Sequence, residues 1–579
     1  MRFKAVIPFV LMISIMLSSC GVKQVRDKIK SWVGDGTPKS LETRRLSFFE
    51  YEDKLMGAWA GKMIGVSYSA PYEFKYLGQI MDEGIIRQWS PEMVINSLEQ
   101  DDLYVQMTFL QVIEEKGFLI TGREAADYFA KTEYPLWHAN DIGRQNIRAG
   151  IMPPDSGHPR NNPHANDIDF QIEADVFGLL CPGMPRTAVK LAEPFGRMMN
   201  YGDGLYGGLF VAGMYSSAYF ENTRVGIIEQ GLKCIPEQSQ YSQVIRDVLN
   251  YFGANPTDWQ GCWKMLQDKW GETDLCPDGY NKPFNIDAKL NGGYVVLGLL
   301  YGEGDFAKTL ELTTRCGQDN DCNVSTAAGI LGALNGYSRI PHHYKIGIPL
   351  ISNRRFLHTK YSFTTLIQTC RSLTTNVIKQ YGGSIQRLGE REYYLVPVQT
   401  PVAPKKLEQF TDDMRSQYQD NWVAMESERK TRFRTLVKES FSTWKPGWVM
   451  ANCGDDMSPG LRETYAGHYD VFVTHPKDLD TPCTLTWKGV ISGDKPILNI
   501  VVSHSMQNPE ADWILRVRVN GDLLKEETIG VENEKLKWHD LRYDLSAYIG
   551  QEITMQLENA ADEWKFEAAY WDIIDFVKK

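Results

Sequence analysis

The chain has 579 residues, 43% of them hydrophobic and 23% charged, with a formal net charge of −11. That length calls for two or more folded units with sizeable cores, and the balance is that of a globular protein. The negative charge, with no basic stripe to offset it, excludes a nucleic-acid backbone as partner and makes free polyanions poor ligands.

Arg2 and Lys4 precede an apolar run from Ala5 to Leu17, too short for a membrane span and placed like the core of a signal peptide. The run ends in Leu17-Ser18-Ser19-Cys20-Gly21, which looks like a bacterial lipobox. Residues 1–19 are therefore expected to be removed and Cys20 to carry lipid, which would anchor the chain to a membrane of the bacterial cell envelope. Residues 20–45 are polar and read as a tether. The first folded unit is expected over 46–395. In its first helix Gly57, Gly61 and Gly65 recur every four residues, a stripe that admits another backbone, and Trp59 and Met63 beside it read as core.

Two acidic pairs stand out. Gln100-Asp101-Asp102 opens a segment, Leu103 to Glu115, in which Leu103, Met107 and Leu110 keep helical spacing. Arg315-Cys316-Gly317-Gln318-Asp319-Asn320-Asp321-Cys322-Asn323 opens a small and apolar run to Gly336 that also reads as a helix. A single carboxylate at a helix start is usually a cap, an account that strains to cover two at once. Two such ends facing each other would concentrate four carboxylates. That cluster is costly without a hard cation, and oxygen-only ligands point to Mg²⁺ or Ca²⁺ rather than zinc.

Between the pairs, Pro153 to His164 is turn-rich and reads as a long loop, with His158 and His164 on a candidate rim. Helical patterns run through Gly207 to Phe220, Ser239 to Tyr251 and Asp305 to Thr314, with few alternating strands before residue 390. Beyond Cys20 nine cysteines remain, none in a CxxC pair. Cys316 and Cys322 are either small buried residues or a bridge.

Closely spaced prolines from Val396 to Pro404 mark a boundary, and the charged stretch Lys405 to Glu439 reads as one or two polar helices, making 396–444 a connection. From 445 to 579 the pattern has period two. Tyr469 to Thr474, Cys483 to Trp487, Ile497 to Ser503, Trp513 to Val519 and Ile553 to Leu557 read as strands, with Asn520-Gly521-Asp522 as a turn.

Taken together, Ala70-Pro71-Tyr72-Glu73-Phe74, Gln100-Asp101-Asp102 and Gly317-Gln318-Asp319-Asn320-Asp321 resemble the three acidic signatures of the ADP-ribosylglycohydrolase family, in the family's order, over roughly Phe48 to Pro341. Asn166-Asp167-Ile168-Asp169-Phe170-Gln171 and Asn200-Tyr201-Gly202-Asp203-Gly204 look like its middle substrate loops. The resemblance implies a mainly α, orthogonal helical bundle in which acids at two helix ends hold a pair of Mg²⁺ ions against a ribose diol and an activated water. By position Asp101, Asp102, Asp319 and Asp321 inherit the metal-ligand role, with Ca²⁺ or Mn²⁺ as other candidate ions. Glu73 inherits that of the movable catalytic carboxylate, and Asn166, Asp167, Asp169, Gln171 and Asp203 line the sugar site. Later, Leu541 to Gln551 and Tyr570-Trp571-Asp572 resemble strand endings of galactose-binding-like jelly rolls, which implies an all-β sandwich able to bind carbohydrate. Trp448, Trp538, Trp564 and Trp571 are its candidate sugar-stacking aromatics, although core packing accounts for most aromatics in a small sandwich.

The sequence also departs from the family pattern. Gln100 and Leu103 stand where the family places hydroxyl residues, Cys322 replaces a threonine, and Lys62 stands where the first helix tends to carry an aspartate. Gln100 and Cys322 thus occupy positions where a metal or substrate contact would fall, but a thiol is a soft ligand for a hard ion. The resulting expectation is a divergent, lipid-anchored, metal-dependent glycoside hydrolase acting on a glycan or pentofuranoside-type substrate. Its alternatives are an ADP-ribosyl hydrolase and a decayed glycan-binding lipoprotein.

Overall fold

The computed structural model describes residues 42–505, 511–530, 538–564 and 566–579. The expected signal peptide, Cys20 and most of the tether lie outside these residues. Two compact units divide between Gln419 and Asp420.

The first unit opens on strand β1 (Thr43–Ser47), so the tether read up to residue 45 ends earlier than expected. Leu46 faces the core, and β1 pairs with β3 (Arg391–Pro397), which in turn pairs with β2 (Ser384–Leu388). Ser47 caps helix α1 (Phe48–Ser69), its hydroxyl accepting from Glu50 N. Helices α2 (Asp101–Lys116), α3 (Gly122–Phe129) and α4 (His138–Arg148) follow. Two short helices, α5 (Asp169–Glu173) and α6 (Asp175–Leu180), lead into α7 (Pro185–Gly196) and the fully buried α8 (Asp203–Ser217). Then come α9 (Arg224–Leu232), α10 (Gln240–Ala254), α11 (Trp259–Trp270), α12 (Ala288–Tyr301), α13 (Phe306–Arg315) and α14 (Asn320–Asn335). The turns α15 (His342–Lys345) and α16 (Ile348–Ile351) and the long α17 (Phe363–Gln380) complete the domain. It is mainly α, as expected.

Helices α8, α12 and α14 are buried on nearly every side because each lies in the middle of the bundle, surrounded by others. The contact that organises the domain is between α1 and α14. A Cβ on Gly57, Gly61 or Gly65 would strike the carbonyls of Gly332, Ala328 and Val324 respectively, so the two backbones touch along the glycine stripe. Trp59 and Met63 are buried beside it.

The proline-rich stretch is not a free connection. Residue 396 falls inside β3, and Gln399 Oε1 accepts from Thr187 N at 3.0 Å. Glu408 pairs with Arg197 at 3.1 Å and its backbone N–H donates to Tyr206 Oη at 2.7 Å. An extended chain that cannot make a regular ladder is thus fastened to the first unit by side chains. The charged stretch after it forms one helix, α18 (Asp412–Trp444).

In the second unit two five-stranded antiparallel sheets are built from β4 (Trp448–Ala451), β5 (Gly460–Tyr465), β6 (His468–Thr474), β7 (Cys483–Val490), β8 (Ile497–Ser503), β9 (Trp513–Val519), β10 (Asp522–Ile529), β11 (His539–Asp544), β12 (Glu552–Ala560) and β13 (Ala569–Val577). Their orders are β10-β9-β12-β7-β4 and β11-β8-β13-β6-β5. Along β9, Trp513, Leu515, Val517 and Val519 alternate inward. The β9–β10 turn has φ of 54° at Asn520 and 93° at Gly521, the geometry that Asn-Gly suits. Of the four tryptophans proposed to meet sugar, Trp448 and Trp571 are core, Trp538 stacks on His468 at 4.1 Å, and Trp564 is exposed. Cys316 and Cys322 are both free and buried, so they form no bridge.

The glycine stripe yields a paired prediction. Gly61→Ala must push two backbones apart and should cost ~1–3 kcal/mol. Gly253→Ala, on an exposed turn of α10 with nothing within 4 Å of the new methyl, should gain ~0.4–1 kcal/mol. Urea denaturation of both variants checks the opposite signs; equal effects would contradict the close approach.

Candidate active site

The two acidic pairs begin α2 and α14, as their positions suggested, but they do not cap these helices. Gln100 and Asp319 occupy the cap positions and neither side chain accepts a capping bond. Asp101 Oδ1 accepts only from Asp102 N at 3.0 Å, and Asp321 Oδ1 only from Cys322 N at 2.9 Å. Asp102 Oδ2 and Asp319 Oδ1 are buried and accept no hydrogen bond among the described residues. Buried polar atoms are seldom left so, and a pair of unmatched anionic oxygens is a place for a cation.

A turn brings Glu73 to the same place. Gly317 and Gln318 adopt φ of 78° and 56°, and the turn exchanges backbone bonds with the Glu73 loop, Phe74 N to Gln318 O at 3.1 Å and Gln318 N to Tyr76 O at 3.0 Å. The Gln318 side chain braces the turn from the other side, accepting from Asn285 N and donating to Pro283 O. Glu73 sits exposed at the lip, with Phe74 packed on Phe284 at 4.9 Å.

Crowding is visible in the proton affinities. Although Glu73 as a residue is exposed, its carboxyl is turned into the crowd, and loss of water around that group, then Asp319 and Asp102, push it up to about 7, with His138 opposing. Burial and Asp102 push Asp101 up to about 7. Burial first, and then Asp102 and Asp101, outweigh local hydrogen bonds to carry Asp319 to about 7. Asp321 is raised well above the ordinary range by burial, Glu73 and Asp319. These five carboxyl groups therefore belong to one cluster.

Lys62 enters it from α1. Its Nζ lies 2.8 Å from Asp175 Oδ2, 3.2 Å from Asp102 Oδ1 and 2.8 Å from Ile172 O. Burial alone would depress this ammonium, but Asp175 and Asp102 hold it above its ordinary value. Asp175 belongs to no motif read from the sequence.

The middle-loop residues divide. Asp169 accepts from Ala139 N at 3.3 Å and Asn140 N at 3.1 Å, fixing the start of α4, and it raises Asp101, which places it at the edge of the cluster. Asp167 Oδ2 accepts from His164 Nδ1 at 2.7 Å and lies 3.5 Å from His138 Nδ1, whose ring also meets Asp278 at 3.4 Å. His138, His164 and Asp167 thereby bring three ligand atoms within 4.8 Å of one another. Asn166 receives Ala288 N on its carbonyl, and its Oδ1 is buried without a partner. Gln171 accepts from Tyr241 Oη at 2.7 Å.

Asp203 stands apart. It accepts from Tyr241 N at 2.9 Å, and the charges acting on it are Lys289 and Asp287, themselves a buried pair, rather than the four motif aspartates. Gln100 is likewise engaged elsewhere, its amide donating to Asn96 Oδ1 at 3.0 Å on an exposed turn, because the residue before α2 points along the preceding loop. Cys322 does join the cluster: a ligand atom of Asp319, Asp321 and Cys322 can be chosen so that all lie within 4.8 Å. No motif pointed to His138, Asp175, Asp278, Glu173 or Phe284, which the fold gathers around the acidic pairs.

The donor set suits a divalent cation. Carboxylate oxygens such as those of Asp101, Asp102, Asp319 and Asp321 are the kind that Mg²⁺, Ca²⁺ or Mn²⁺ takes, and Asp102 Oδ2 and Asp319 Oδ1 are among the buried carboxylate oxygens without a hydrogen-bond partner among the described residues.

Comparison with known proteins gives the family. The ADP-ribosylglycohydrolase family model matches residues 50–364, more than half of the 579 residues, and the chain belongs to that family. A solved structure described as an ADP-ribosylglycohydrolase-related protein complex is similar over 56% of this chain and 99% of that one, at 14% identity and a TM-score of 0.36. The CBM35 from Paenibacillus barcinonensis is similar over 23% of this chain and 94% of its own, at 13% identity and a TM-score of 0.16. A search of curated proteins found no match. Family membership supports a hydrolase of glycosyl-type bonds, and the family is typically divalent-metal dependent.

A carboxyl group whose folded-state pKa exceeds its unfolded value gives stability that is present in full below the unfolded pKa and lost as pH rises through the folded one. With Glu73, Asp101 and Asp319 near 7, the cation-free protein should melt at lower temperature as pH rises from about 5 to about 8. A divalent cation must displace those protons, so added Mn²⁺ should raise the melting temperature more at about pH 8 than at about pH 6. Scanning fluorimetry measures both, and a cation effect independent of pH would contradict the shared cluster.

Proposed function

We propose that the chain is a divalent-cation-dependent glycoside hydrolase in which Asp101, Asp102, Asp319 and Asp321 hold the ion and Glu73 is the acid/base group. The observation that carries this reading is the pair of buried, unmatched oxygens, Asp102 Oδ2 and Asp319 Oδ1, beneath an exposed Glu73. When bound, the cation supplies Lewis-acid activation of water and a template for sugar hydroxyls.

The chain's own groups do the rest. Glu73, at the lip of the cluster, can take a proton from water on one step and return it on another. Phe74 and Phe284 offer an apolar wall beside it. His138, raised to about 9 by Asp278, Asp167 and Asp169 against its burial, is a cation at neutral pH on the same rim. Asp167 and Asp169 keep this rim in position through His164 and the start of α4.

The substrate class follows from location. The apolar run ending at Cys20 supports lipid attachment in the bacterial envelope, away from cytosolic ADP-ribosylated proteins, and so favours a pentofuranoside or other glycan unit. The β-sandwich, with Trp564 exposed, is compatible with glycan contact.

Glu73→Gln keeps size but removes the base, and kcat should fall ~10²–10⁴-fold, while ligand affinity by calorimetry changes less than about tenfold. Asp319→Asn and Asp321→Asn should each weaken cation binding. Hydrolysis is screened on nitrophenyl pentofuranosides, hexosides and an ADP-ribosylated peptide with and without Mg²⁺. Full turnover after exhaustive chelation would overturn the metal reading, and sugar binding without any turnover would favour a binding protein. Cys20→Ser should release the protein from the membrane fraction; unchanged association would exclude lipid at that thiol.

A further inference from the structure

We infer that the Lys62 ammonium is a built-in cation that fills one of two adjoining cation positions, so that the cluster takes one divalent ion and not a pair. The inference rests on the metal reading above, and concerns how many ions the residues admit.

Three oxygens converge on Lys62 Nζ: Asp175 Oδ2 at 2.8 Å, Ile172 O at 2.8 Å and Asp102 Oδ1 at 3.2 Å. The ammonium donates to Ile172 O and Asp102 Oδ1, and Asp175 faces it as an ion pair. The residue is 1% exposed, so no water competes for these bonds. A carbonyl and two carboxylates gathered at one buried point make an oxygen-only set of the kind a hard cation takes. In this chain the charge there is covalently attached, and it cannot leave.

The consequence falls on Asp102. Ions of a two-metal site lie about 3.5–4 Å apart, close enough that a carboxylate commonly bridges them, one oxygen on each. Asp102 already has this divided arrangement. Oδ1 is on Lys62, while Oδ2 is buried and has no hydrogen-bond partner. The ammonium therefore stands where the second ion would stand, and Oδ2 remains for the first. A second dication could reach Asp102 only by displacing Lys62 from its three oxygen neighbours or by lying against its charge.

Lys62 also has no alternative position within its helix. It follows Gly61, whose contact with Ala328 pins α1 on α14, so its side chain is delivered to the α5–α6 junction by the packing that forms the core.

The test is a count. The full chain, purified in detergent and stripped of metal, is titrated with Mn²⁺ by calorimetry and followed by electron paramagnetic resonance. Wild type should bind one Mn²⁺ with the spectrum of an isolated ion. Lys62→Gln, which keeps a donor for Ile172 O but no charge, should bind two and give the spectrum of a spin-coupled pair. Asp175→Asn, which keeps the ammonium with its Ile172 and Asp102 acceptors, should still bind one. Two coupled ions in wild type would overturn the inference and leave the metal-dependent hydrolase standing, and so would one isolated ion in Lys62→Gln. No binding by any of the three proteins would overturn both. Where Lys62→Gln fails to fold, the wild-type count and spectrum decide.

Discussion

Helix α1 lies on α14 with backbone against backbone, because three glycines four residues apart leave no side chain between them. The acidic cluster depends on that closeness. Asp319 and Asp321 are fixed by the start of α14, and Lys62 by its place beside Gly61 on α1. Any residue larger than glycine in the stripe would move the lysine away from Asp102 and Asp175. A packing constraint in the core thereby becomes an electrostatic constraint at the site. The fold gathers Glu73, Asp101, Asp102, Asp319 and Asp321, and their mutual repulsion is visible as raised proton affinity. Such an arrangement is expensive unless charge is supplied, partly by Lys62 and partly from solution.

Much of this was legible from sequence, for local reasons. Acids ahead of an apolar run mark helix starts, and α2 and α14 begin where Asp101 and Asn320 stand. Capping does not account for the two acidic pairs, since none of the four side chains caps its helix. Period-two alternation located β6 through β9 and β12 within a few residues. What the sequence obscured was long-range. Lys62 reads there as a departure from a pattern, and only the fold gives it Asp175 as partner, more than a hundred positions away. His138 becomes visible as a site residue only once Asp167 and Asp278 are beside it.

Two readings fail for instructive reasons. The prolines from Val396 signal the end of regular structure, but they do not signal detachment, and Gln399 and Glu408 fasten that stretch to the helical unit. Asp203 sits in a family-like loop yet serves the interior, holding Tyr241 N near the Asp287–Lys289 pair. A buried aspartate at a helix start carries the same sequence signal whether it faces substrate or the core.

The central claim is that a divalent cation is held between the starts of α2 and α14. Crystals of the protein soaked in Mn²⁺ and measured with anomalous scattering test it most directly. The account predicts an anomalous peak within bonding distance of Asp102 Oδ2 and Asp319 Oδ1, with Lys62 still paired to Asp175. A peak confined to the His138, His164 and Asp167 group, or none in the described residues at saturating Mn²⁺, would contradict it.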